Sequence, residues 1–117
     1  MKSENAVRDK SYAFVRRCVK LYKYLCEEKK EYILSKQLLR SGTSIGANIT
    51  EGQYGQTKAD FASKLSIAQK EAGETGFWLR LLGDEDYITK TQSESMLADC
   101  RELIRLLQSI TKTLYNK

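Results

Sequence analysis

A chain of 117 residues, 41% hydrophobic and 30% charged, carries enough apolar matter for one packed domain and enough charge for a solvated surface. No uncharged apolar run approaches the roughly 20 residues a membrane helix needs, and the first residues carry Lys2, Glu4, Arg8, Asp9 and Lys10 without an apolar block. A cytoplasmic protein that meets no membrane is the expectation. Histidine is absent, so neither a histidine-activated thiol nor a Glu-x-x-His di-iron site can be built, and no catalytic residue, metal ligand or cofactor is expected.

Proline is also absent, so helices can run long and hydrophobic periodicity can be read over whole segments. The first segment, residues 5–28, places Val7, Phe14, Val15, Cys18, Val19, Leu21, Tyr22, Leu25 and Cys26 on one arc and Arg16, Lys20 and Lys23 on the other face. Cys18 and Cys26 would stand roughly 12 Å apart along that helix, too far to bridge. With Cys100 they read as small buried hydrophobes in a reducing compartment.

After the charged run from Glu27 to Glu31, the residues Ile33, Leu34, Leu38, Ile45 and Ile49 mark a second helix over 32–52, ended by Gly52 and Gly55. Inside it lies Ser41-Gly-Thr-Ser-Ile-Gly-Ala-Asn48. Each interior glycine costs about 1 kcal/mol relative to alanine. Gly42 and Gly46 therefore imply the close approach of another helix, the alternative being a frayed or broken segment.

The third helix, 57–83, opens on a capping-box-like Thr57-Lys-Ala-Asp60. Phe61, Leu65, Ala68, Ala72, Thr75, Leu79 and Leu82 then form a heptad seam that stops at Gly83-Asp-Glu-Asp86. Ile67, Glu71, Glu74, Trp78 and Leu81 lie roughly 80–160° around from it. They meet either a second helix of the same chain or another subunit. The acidic turn reads as a solvated loop or a weak cation site. The fourth helix, 90–116, starts at a box Thr91-Gln-Ser-Glu94 and continues the seam with Met96, Cys100, Leu103, Leu107, Ile110 and Leu114. Short connections and this spacing predict an all-α, antiparallel up-down-up-down four-helix bundle in a single domain.

Charge is unevenly spread. Residues 1–36 hold ten Lys and Arg against five Asp and Glu, and residues 37–117 hold ten against ten, so the net charge of +5 arises in the first helix and its exit. Arg16, Lys20 and Lys23, with Arg17 at the border and Tyr24 nearby, have the composition of a face that touches nucleic-acid phosphates. An ordinary solvated helix face has the same composition.

The runs Arg40-Ser-Gly-Thr-Ser-Ile-Gly-Ala-Asn-Ile-Thr-Glu-Gly52 and Lys70-Glu-Ala-Gly-Glu-Thr-Gly-Phe-Trp-Leu-Arg-Leu-Leu82 resemble the four helix bundle proteins, or 23S rRNA intervening-sequence proteins, over nearly the whole chain. The resemblance implies a bundle that assembles as a homopentamer. It extends to the accessory protein of diversity-generating retroelements, a basic barrel associated with nucleic acid and a reverse transcriptase. At matching positions, Arg40, Ser41, Asn48, Glu51, Gly52, Glu71 and Glu74 are the signature residues, and with Gly42, Gly46 and Trp78 they read as helix-contact or oligomer-forming positions. No reaction comes with the resemblance. Two functions remain open, namely a non-catalytic oligomer that contacts RNA or DNA through the basic face, and a scaffold for a partner protein whose basic face is incidental.

Overall fold

Four helices carry the chain, α1 (Lys2–Glu27), α2 (Leu34–Gln53), α3 (Lys58–Asp84) and α4 (Lys90–Tyr115). The computed structural model describes residues 2–115, with side chains from Asn5. Asn116, the expected end of the fourth helix, and the side chains of Lys2 and Glu4 lie outside the described residues. No strand occurs among the described residues, and no helix is long and apolar enough to cross a membrane.

Each helix packs on its neighbours in the chain, and α1 meets α4 to close the bundle. Paired positions run in opposite directions throughout: Val15 and Cys18 against Gly46 and Gly42, Arg40 and Lys64 against Glu74 and Glu51, and Arg17 and Lys10 against Asp99 and Glu102. The expected seams form the core. Val7, Phe14, Cys18 and Leu25 of α1, Leu38, Ile45 and Ile49 of α2, Leu65, Leu79 and Leu82 of α3, and Leu103 and Leu107 of α4 are all buried. At roughly 1.5–3 kcal/mol for each large apolar side chain removed from water, this cluster is the main force holding the helices together.

The two glycines inside α2 serve close approach. A Cβ at Gly42 would stand 2.8 Å from Cys18 Sγ, and one at Gly46 would stand 3.0 Å from Val15 Cγ2, so α1 lies against the α2 backbone there. The helix between them is unbroken. Polar side chains do the equivalent work between α3 and α4. Ser93 Oγ donates to the Leu79 carbonyl at 3.0 Å and Cys100 Sγ donates to the Ala72 carbonyl at 3.1 Å. Ser93 sits over Gly83, where a Cβ would come within 2.6 Å of its hydroxyl, and Cys100 sits over Gly76. Gly83 therefore lies within α3, which continues to Asp84 after the apolar seam has stopped.

Helix ends follow side-chain chemistry. Thr57 accepts the Asp60 N–H at 3.0 Å, as its sequence suggests. The box expected at Thr91-Glu94 forms two residues earlier. There the Thr89 hydroxyl accepts the Gln92 N–H at 3.1 Å, and the Gln92 side chain accepts the Thr89 N–H at 2.8 Å. Two overlapping threonine motifs compete at this start, and the one that wins directly follows buried Ile88. At α2 the buried carboxylate of Glu31 folds back onto the helix start and accepts the N–H groups of Ile33, Leu34 and Ser35 at 2.7–3.1 Å.

Candidate nucleic-acid interface

The α1 stripe forms as the 3.6-residue period requires, because Arg16, Lys20 and Lys23 recur about one turn apart on one outward face. All three are exposed, and no carboxylate of the described residues lies within 4 Å of any of them. The same holds for Lys29, Lys30, Lys36, Lys58, Lys70, Lys90, Arg101, Arg105 and Lys112, whereas a smaller set of cations is engaged. Lys10 pairs with Glu102 at 3.0 Å, Lys64 with Glu51 at 3.0 Å, Arg80 with Asp84 at 3.7 Å and Arg8 with Asp9 at 3.3 Å.

Arg17 leaves the stripe. Its guanidinium turns to α4, where it donates to Asp99 Oδ2 at 2.6 Å, to the Ser95 carbonyl at 3.4 Å and to Ser95 Oγ at 3.0 Å. Its position 100° from Arg16 marks it as a border residue. Its partner could be known only from the register of α1 on α4. Tyr24 flanks the stripe and is 37% exposed.

A second polar cluster lies on the other side of the bundle, between α2 and α3. Arg40 donates to Glu74 Oε2 and stands 3.4 Å from Glu71 Oε1, an ion pair without the alignment of a hydrogen bond. The Trp78 indole N–H donates to the same Glu74 oxygen at 3.3 Å. The Arg40 and Trp78 donors hold the Glu74 carboxyl below its ordinary pKa, and Glu74 in turn raises that of Arg40. Beneath this cluster Thr75 Oγ1 lies 2.8 Å from both Ser41 Oγ and the Glu71 carbonyl, tying the two helices inside the core.

Arg40, Glu71, Glu74 and Trp78 are thus brought together. Glu51 is held apart by Lys64, and Asn48 donates to the Ser44 carbonyl of its own helix at 2.8 Å. Trp78 packs against the core of its own chain. The more exposed ring is Phe77, which meets Trp78 edge-on at 4.9 Å. Residue 77 carries no seam signature in the sequence.

The two buried thiols are chemically quiet. Burial, aided by nearby Cys100 and opposed by Arg17, pushes the Cys18 thiol up to about 12, and burial lifts Cys100 to about 11. No group of three or more His, Cys, Asp or Glu among the described residues could hold a metal ion.

The comparisons bear on this chain as a whole. A solved structure from Bacteroides thetaiotaomicron VPI-5482, described as a protein with unknown function from the S23 ribosomal protein family, is 55% identical. The superposition covers 94% of this chain and 98% of that one, with a TM-score of 0.92. No curated protein matches. The family model for 23S rRNA-intervening sequence proteins matches residues 3–109, and the chain belongs to that family.

Proposed function

We propose that the protein is a non-catalytic, homo-oligomeric helical module that contacts the backbone of RNA or DNA through the α1 stripe. The observation that carries this reading is an arrangement: Arg16, Lys20 and Lys23 follow one another on one outward face of α1, in the part of the sequence that holds the charge excess, with no carboxylate of the described residues within 4 Å of them. Unpaired cations at helical spacing match a row of phosphates better than they match a base edge, so such contacts orient the nucleic acid and read little sequence. Family membership and the resemblance to a basic pentameric barrel support assembly. Five copies would multiply the +5 charge of one chain fivefold, raising the surface potential that draws in a polyanion.

Fluorescence anisotropy with labelled RNA and duplex DNA tests the reading. Three phosphate contacts weaken duplex binding about fortyfold between 50 and 200 mM salt. An Arg16→Glu, Lys20→Glu double variant is expected to bind at least tenfold more weakly with its assembly mass unchanged; equal affinity would remove the stripe from the function. A partner-protein scaffold is the second reading. It is favoured by Phe77, which is 58% exposed and meets the ring of Trp78, since exposed apolar surface marks protein contacts.

A further inference from the structure

Near the start of α4 the seam between α1 and α4 opens into a groove of about 550 Å³, within the size range of pockets that hold small ligands. Its floor is apolar, made by Leu21 of α1, Met96 of α4 and Ile88 of the preceding loop. One wall carries Lys20 and Tyr24, and Arg17 closes one end. The other wall brings the hydroxyls of Thr91 and Ser95 from the first two turns of α4, where the helix dipole also favours negative charge.

No carboxylate lines this groove. Lys20 has no acidic partner, and Asp99 and Ser95 fix Arg17 in place through three bonds, which leave two of its five N–H donors open. An apolar floor beside an aromatic side chain suits a planar ring, and the unpaired Lys20, next to the open N–H donors of an Arg17 that Asp99 already pairs, suits an anion. A nucleotide combines both, and base-on-aromatic contact tolerates any base. Paired bases stay inside their stack and cannot reach Tyr24.

We propose that the groove seats one unpaired nucleotide, its base over the apolar floor against Tyr24 and its phosphate between Lys20 and Arg17, within a strand that continues along Arg16 and Lys23. This rests on the nucleic-acid reading above and narrows it to single strands. Lys20 belongs to both surfaces, so the groove is a side opening of the stripe.

The test measures anisotropy of a labelled 12-nucleotide oligo(U) and of a 12-base-pair duplex at one salt concentration, with the full chain. The parent is expected to prefer the single strand by about tenfold or more. Tyr24→Ala should lose about tenfold on the single strand and nothing on the duplex, Tyr24→Phe should keep the preference, and Arg16→Ala should weaken both ligands alike. Thr91→Glu, an exposed change at a helix start that puts a carboxylate opposite Lys20, should lose the preference even if Tyr24→Ala unfolds. Equal binding of the two ligands, unmoved by Tyr24→Ala and Thr91→Glu but weakened by Arg16→Ala, overturns the groove and leaves the stripe standing. Displacement of oligo(U) by oligo-glutamate as readily as by unlabelled oligo(U) also overturns it, because the groove would then read charge alone. A parent that binds neither ligand overturns both readings.

Discussion

Glu31 shows how one charged side chain can decide where a helix starts. The first amides of α2 have no partners within the helix, and the Glu31 carboxylate takes those of Leu34 and Ser35 together with that of Ile33 just before them, while its own carbonyl accepts the Ser35 hydroxyl at 2.8 Å. Burial by itself would raise the Glu31 pKa; the N–H donors of Leu34, Ser35 and Ile33 outweigh it and hold the pKa below its ordinary 4.5. A carboxyl more acidic in the folded chain than in the unfolded one stabilises the fold fully above the unfolded value and loses that contribution as pH falls through the folded value. Glu31→Ala should lower stability at neutral pH by about 1–2 kcal/mol. The gap to the parent should shrink as pH drops below 4.5, and urea melts of both proteins from pH 7 to 3 measure it. A gap that stays constant across that range would mean the charge plays no part. Nothing in the run Glu27-Glu-Lys-Lys-Glu31 distinguishes its last glutamate, because the distinction comes from the turn at Lys30, whose φ is 53°.

At the scale of the helix, spacing was informative and partners were not. The heptad positions of α3 and α4 were readable because burial repeats every three or four residues, and the α2 glycines were readable because two in one helix demand a compensating contact. That contact is α1: Gly46→Leu would drive a side chain into Val15, where a single Cβ already comes within 3.0 Å. Overpacking of this kind costs about 1–3 kcal/mol and at times more, so a clear fall in melting temperature is expected, and a melt equal to the parent's would mean that α1 moves aside freely. Arg17 and Phe77 were beyond reach for a common reason. One residue along a helix is a 100° turn, so whether a border position faces water, a neighbour or the core depends on a crossing geometry that periodicity does not contain. The α1–α4 groove was illegible in the same way, since Tyr24 and Thr91 stand 67 positions apart in the chain.

The whole molecule is a rod of 47 × 22 × 19 Å, so most residues lie close to a surface and one chain has little depth in which to hide apolar groups. Tyr12, Ile33, Tyr54 and Phe77 remain outside. A homopentamer, which the resemblance implies, would cover a repeated patch on every copy by a head-to-tail contact that closes into a ring. Light scattering at micromolar concentration should then give five times the 13.4 kDa chain mass, and a monomer mass throughout would end that proposal.

The α3–α4 hairpin behaves like a ratchet with one notch. Ser93 and Cys100 are seven residues apart, as are the glycines beneath them, Gly83 and Gly76, and each donates to the carbonyl four residues before its glycine, Leu79 or Ala72. A slip of one turn would set Ser93 over a larger residue, Arg80 or Leu79 one way and Asp86 or Tyr87 the other. A slip of two turns toward the start of α3 would place Ser93 over Gly76 but bring Cys100 onto Gln69, where no space is kept for it. Only one alignment satisfies both hooks, so a shifted pairing of the α3 and α4 seams loses at least one of them, and four small residues set the register of the hairpin.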